Sequence, residues 1–290
     1  MTTSTDIQIS SCIDWVRATF SMDIPLDVLL PSFPALERTG EIVDRGFYGY
    51  NRAMPLVGGG FIMWHSEKRE MKRCIELPGS VLAEVRRDGF EVEEIMAHWV
   101  AKRLPDASYT RLDYALDVEN GGVQVKDLWT AIEKKKVKMT AHSARFLRSF
   151  ESDYNADTVE IGSREGSPRF LRVYDKAAQT GMLWKAWVRI ELESKKGRVN
   201  GFASSVLKHG RDAAGRREIG EAVKTKVKWF NEALKGELAP HMDVPRPDAK
   251  PDKFVLETIV PFIRNHAHEL SEDSKRILMA NVVNYITLPG

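Results

Sequence analysis

Residues 170–195 read FLRVYDKAAQTGMLWKAWVRIELESK. In the first half Leu171, Val173 and Asp175 fall on one side, and Arg172, Tyr174 and Lys176 on the other. In the second half Val188, Ile190 and Leu192 alternate with Arg189, Glu191 and Glu193. A period of two over such lengths predicts two half-buried β-strands. If they lie close in one sheet, the phenol of Tyr174 sits near two carboxylates and several cations. A tyrosine in that setting is suited to attack a phosphodiester. Cations stabilise the phenolate and the charge on the phosphate, and carboxylates can hold a divalent metal. Cross-strand Arg–Glu pairs on a solvent face give the same alternation, so this stretch alone leaves both readings open.

The chain has 290 residues, enough for one large core or two domains. No apolar run is long enough to cross a bilayer, and MTTSTDIQISS lacks the basic-then-apolar pattern of a secretory signal. Cys12 and Cys74 stand far apart in no metal-ligand spacing. The expectation is a cytoplasmic protein with free thiols and no membrane partner. The net charge of +2 does not announce a nucleic-acid partner, but its distribution is uneven. From Lys195 to Lys228 ten Lys or Arg face three Asp or Glu. A smaller basic run, Lys134, Lys135, Lys136 and Lys138, precedes Arg145 and Arg148. Clustered positive charge is the footprint of a phosphate-backbone binder, or else a solvated helix face.

Along the chain, 11–19 reads as a strand with Ile13, Trp15 and Arg17 on one side. The aromatic run GFYGYN at 46–51 is strand-like, and 61–65 and 72–77 continue a meander. Helices are predicted over 80–87 and 92–103. TRLDYALDV at 110–118 is a strand with Leu112, Tyr114 and Leu116 on one face. Arg111, Asp113, Ala115 and Asp117 take the other, where two carboxylates suit metal binding or pairing with Arg. Asp117 could instead begin the turn into Asn120, Gly121 and Gly122. A helix follows over 125–136, then a strand at 158–162 whose turn, GSREG, leads into the tyrosine strand. Helices are predicted over 198–207 and 217–234. Prolines 240, 245, 247 and 251 mark a linker, and two amphipathic helices, 253–269 and 272–285, close the chain. His266-Ala267-His268 does not read as a metal pair, because residues two apart on a helix point in different directions.

In order, IDWVRATF, IELPGSVLAEV, TRLDYALDV, EIGSREGSPRFLRVYDK and RIELESK resemble the replication initiation factor family, often called Rep_trans. The family includes initiators of rolling-circle plasmids, replication proteins of filamentous phages, and relaxases of conjugative elements. The resemblance covers about 14–195, and its specificity lies in the order RxDxxxD, GSR, RxYxK, RxExxxK. It implies an α+β fold, a central antiparallel sheet flanked by helices, here with a helical C-terminal extension. It also implies nicking of one DNA strand at an origin, with the tyrosine attached covalently to the 5′ phosphate. Carried over by motif, Tyr174 is the nucleophile, with Arg172, Lys176 and Arg189 around it. Asp113, Asp117, Glu191 and Glu193 are the candidate metal ligands, and Arg164 belongs to the GSR turn. The family often has Glu shortly after the tyrosine motif, where this chain has Gln179.

The expected domains are a catalytic region 1–238 with its core at 11–200, a linker 239–252 and a helical extension 253–290. The expected activity is a metal-dependent nicking and rejoining initiator of rolling-circle replication. An all-oxygen carboxylate site suits Mg²⁺ or Mn²⁺ better than zinc. The partner is origin DNA, single-stranded or extruded. A host helicase and a second copy of the chain are further candidates. Arg164, Lys195, Lys196, Arg211, Arg216 and Arg217 are the expected DNA-binding cations. Trp184, Trp187 and Trp229 are candidates to stack bases, or else core residues. A conjugative relaxase uses the same motifs. A non-catalytic DNA-binding regulator, or a nuclease using water, is the rival of another class.

Overall fold

The alternation around Tyr174 becomes two neighbouring strands near the middle of a nine-stranded sheet. A computed structural model describes residues 6–30, 32–101, 108–149, 156–182 and 184–240, all within one compact unit. Its first half runs β1 (Gln8–Phe20), α1 (Leu26–Leu29), β2 (Arg52–Pro55), β3 (Phe61–Trp64), β4 (Arg73–Pro78), α2 (Gly79–Arg87) and α3 (Val92–Ala101). The second half runs β5 (Ser108–Glu119), α4 (Val125–Glu133), β6 (Lys138–Met139), β7 (Ala144–Ser149), β8 (Ala156–Ile161) and β9 (Arg169–Asp175). It continues with α5 (Lys176–Thr180), β10 (Trp187–Lys195), α6 (Gly197–His209), α7 (Arg211–Ala222), β11 (Val223–Lys224) and α8 (Lys228–Ala233).

The strand order is β2-β3-β4-β1-β5-β10-β9-β8-β7, with every pairing antiparallel. The expected α+β class with a central antiparallel sheet therefore holds. Partners directly opposite in a ladder share a face, so period-2 patterning sorts this sheet into two sides. Leu112, Tyr114, Leu116, Val173, Ile190 and Leu192 enter one core with Val81 and Leu82 of α2, Ile95 and Trp99 of α3, Leu128 of α4, Phe202 of α6 and Ile219 of α7. At Gly215 a Cβ would overlap the Tyr114 ring, so this glycine lets α7 press directly onto β5.

Several expectations are corrected. GFYGYN is not a strand; it is a loop of turns leading to β2. Ile13 and Trp15 do not share a side, because a bulge between them shifts the β1–β5 register. The helix expected over 217–234 is interrupted: α7 ends at Ala222, β11 pairs with β6, and α8 begins at Lys228. Lys176 opens α5 rather than continuing the strand, and the Asp175 side chain caps that helix by accepting from the Ala178 N–H at 2.9 Å. The helical extension, His266 and His268, and the linker beyond residue 240 lie outside the described residues.

Candidate active site

Three adjacent strands, β5, β10 and β9, carry the site. Arg189 of β10 stands opposite Asp117 of β5 and Tyr174 of β9. Glu191 stands opposite Arg172, Glu193 opposite Asp113, and Lys195 opposite Arg111. The Tyr174 hydroxyl donates to Glu191 Oε2 at 3.1 Å. The other oxygen, Oε1, accepts from Arg172 Nη2 at 2.5 Å. The Arg172 guanidinium and the Lys176 ammonium lie 5.4 and 5.8 Å from the Tyr174 ring centre. Arg189 forks onto Asp117 with Nε–Oδ1 at 2.8 Å and Nη2–Oδ2 at 2.7 Å, and its Nη1 is 3.4 Å from Asp14 Oδ2. Arg111 grips Asp113 through Nε at 2.9 Å and Nη2 at 2.5 Å, and reaches Glu193 at 3.0 Å. Lys195 at 2.5 Å and Arg164 at 3.4 Å complete the partners of Glu193.

Burial decides the protonation of the phenol. It pushes the Tyr174 pKa well above that of a free tyrosine, and the nearby Glu191 charge adds to this, outweighing Arg189 and Arg172. The phenol is therefore protonated at neutral pH, and its hydrogen bond runs to a carboxylate that can accept the proton. Burial also raises Asp113, against the pull of Arg111, to about 7, and raises Asp14 against Arg189. Lys176 is lowered, first by burial and then by Arg189. Burial opposes ionisation of Glu193 too, but Lys195 and Arg111 outweigh it and hold that carboxyl below its ordinary range.

A buried tyrosine, acids and guanidiniums thus meet on three central strands. Residues 107–235 match the family model of the replication initiation factors, Rep_trans. The match spans β5 to α8 and so includes every site residue named above except Asp14. Among solved structures, a rolling circle replication initiator protein from Geobacillus stearothermophilus is similar in fold, with a TM-score of 0.65 and 18% identity. The similarity covers 81% of this chain and 100% of that one. No curated protein sequence matches.

Within the matched region, the structure brings together Tyr174, Arg172, Lys176, Arg189, Asp113, Asp117, Glu191 and Glu193 on one polar face. Asp117 lies inside β5 and does not begin a turn. Arg164, Lys195 and Lys196 gather at the β8–β9 turn, where Lys195 Nζ donates to the Arg164 carbonyl and Lys196 Nζ to the Gly166 carbonyl at 2.7 Å. Arg211, Arg216 and Arg217 are not part of this cluster. They sit on α7, whose Gly215 packs on Tyr114 on the other side of the sheet. Arg211 pairs with Glu91 at 2.7 Å and Glu93 at 2.9 Å, Arg217 pairs with Glu221 at 2.9 Å, and Arg216 donates to the Lys235 carbonyl.

The oxygen chemistry of the four predicted metal ligands suits Mg²⁺ or Mn²⁺, but their arrangement does not. Each carboxylate is engaged by Arg or Lys, and among the described residues no three of His, Cys, Asp and Glu converge on a metal position. As placed, these acids fit guanidinium partners and not an ion. Trp184 is 84% exposed, Trp187 donates to Asp117 Oδ1 at 2.7 Å, and Trp229 is a core residue stacked edge-on to Phe230. The one site residue the patterning passed over is Asp14. It was legible only as a polar marker on β1, because the bulge that turns it toward Arg189 breaks the alternation.

Proposed function

We propose that this protein initiates rolling-circle replication by nicking one strand of origin DNA and later rejoining it. The observation that carries the reading is the Tyr174 hydroxyl held on Glu191, with Arg172, Arg189 and Lys176 around it. In the step this supports, Tyr174 Oη bonds to the scissile phosphorus and Glu191 Oε2 takes the phenolic proton. The bond from phosphorus to the 3′ oxygen breaks. That oxygen takes up a proton and becomes the 3′ hydroxyl that primes synthesis, while the 5′ phosphate stays on Tyr174. The cations face the charge that develops on the phosphate. Rejoining is the reverse step.

The substrate in this reading is single-stranded or extruded origin DNA, because a buried tyrosine must meet a phosphate whose bases are held aside. The test uses an oligonucleotide labelled at its 3′ end. The wild type should yield a denaturant-stable protein–DNA adduct, and Tyr174→Phe should lose the adduct while keeping affinity for the strand. An adduct on the Phe variant would assign the nucleophile elsewhere. The dependence on Mg²⁺ or Mn²⁺ that the resemblance implies has a separate test. Adduct formation at full rate in excess chelator would remove the metal from the reading.

A further inference from the structure

We infer that Phe47 and Tyr48 form a preorganised platform on which bases of the single-stranded substrate stack, several nucleotides from the scissile phosphate. The inference rests on the nickase reading and extends it to a second contact region, outside the residues matched by the family.

The GFYGYN loop is built to present two aromatic rings. Its ends are pinned: Tyr50 donates to the Met71 carbonyl at 3.0 Å, and the Asn51 amide exchanges two hydrogen bonds with Ser66 at 2.9 Å each. Gly46 cannot carry a side chain, since its Cβ would lie 2.6 Å from the Tyr50 carbonyl oxygen. Tyr48 is held at φ 58°, a conformation that costs a non-glycine residue and persists only where the surroundings impose it. Behind the rings, Tyr50 and Phe61 close a small cluster with Ala53, Met63 and Cys74. With the loop anchored in this way, Phe47 and Tyr48 are still 46% and 57% exposed. Ordered aromatic rings left to solvent point to a ligand with flat faces.

Register places the platform on the same face as Tyr174. The Tyr48 hydroxyl donates to Glu76 Oε1 at 3.2 Å. Glu76 stands opposite Arg17, Arg17 opposite Arg111, and Arg111 opposite Lys195, in one row across β4, β1, β5 and β10. Arginines cover aromatic rings along this face: Arg17 over Tyr48 at 4.3 Å, Arg111 over Trp15 at 4.1 Å, Arg164 over Phe170 at 5.9 Å and Arg172 over Tyr174 at 5.4 Å. Alternating cations and π-faces are the chemistry of a single-strand track, cations for phosphates and rings for bases. From β9 to β4 is four strand spacings, about 19 Å, and the two rows lie six residues apart along β10, about 20 Å. That span fits the roughly 4–16 nucleotides covered by a sheet that binds single strands.

The test places 2-aminopurine at successive positions of a 3′-labelled oligonucleotide bound to the full chain. Quenching in the wild type is expected at a position several nucleotides from the scissile phosphate. It should be lost in Phe47→Ala with Tyr48→Asn, asparagine being chosen because it tolerates the left-handed backbone. The same double variant should bind the strand about tenfold or more weakly. Quenching confined to the scissile phosphate's neighbours in the wild type would overturn the platform whatever the variant's stability. So would affinity within twofold in a variant that melts like the wild type. If the wild type forms the covalent adduct but neither effect appears, the platform falls and the nickase stands. If quenching moves with Phe47 and Tyr48 but no adduct forms, the nickase falls and the platform stands.

Discussion

Glu191 is the residue on which the proposed chemistry turns. Its Oε2 accepts from Tyr174 and its Oε1 from Arg172, so in the proposed reaction one carboxylate both receives the proton and positions a cation. Glu191→Gln keeps the shape but cannot take the proton. Single-turnover adduct formation should slow by about 10²–10⁴. A rate within a few-fold of the wild type would show that another group deprotonates the phenol. Asp113 carries a different signature. Its folded pKa of about 7 lies above the ordinary 3.8, so the folded state holds this proton more tightly than the unfolded chain. The stability it contributes is complete below the unfolded pKa and is lost as pH rises through 7. Asp113→Asn mimics the protonated form and lacks that dependence. The melting temperature of the wild type should therefore fall relative to the Asn variant between about pH 4 and 7, then run parallel. Parallel curves throughout would mean that Asp113 ionises as freely in the fold as out of it.

At the scale of elements, Gly215 marks a close approach of α7 to the Tyr114 ring of β5. Gly215→Ala puts a methyl group into the Tyr114 ring and should destabilise by about 1–3 kcal/mol. A lowered urea midpoint with an unchanged slope checks this. A midpoint at the wild-type value would mean that α7 can lift at no cost. How far such elements could be read from sequence follows from their range of order. Tyr174, Arg172, Arg189 and the four acids fell on the right faces because period 2 is a local property of the backbone. The strands around them were legible for the same reason. Registry was not: that Arg189 meets Asp117 and Glu191 meets Arg172 is set by pairings across long stretches of chain. The bulge at Asp14 and the capped turn of α5 were missed because each breaks a period without leaving a composition signal. GFYGYN was misread because aromatic residues favour strands, while Gly46, Gly49 and the left-handed Tyr48 decide for a loop.

At the scale of the whole molecule, the helices α2, α3, α4, α6 and α7 share one core on one side of the sheet, and the tyrosine, its acids and three of the six expected DNA-binding cations, Arg164, Lys195 and Lys196, lie on the other. Basic charge is thus divided between a face that carries the site and a helix, α7, whose arginines are tied to acids or to a backbone carbonyl. Binding of a single strand should weaken with salt by about 0.7 in log–log slope for each phosphate contact. Replacing Arg164, Lys195 and Lys196 with Gln should flatten that slope by up to about 2. Replacing Arg211, Arg216 and Arg217 should leave it near the wild-type value and instead lower the melting temperature slightly, as loss of partly exposed ion pairs does. The opposite result, a slope carried by α7, would place the DNA on the helical side.

The strand order also sets when a newly made chain can act. β10 is the last of the nine strands to be synthesised, yet it lies between β5 and β9 and supplies Glu191 and Arg189. Until residue 195 has left the ribosome, Tyr174 lacks the carboxylate its hydroxyl donates to, and the Asp117 side chain lacks its guanidinium fork. If the proposed reaction holds, a premature stop before β10 yields an inert fragment and not an unregulated nuclease.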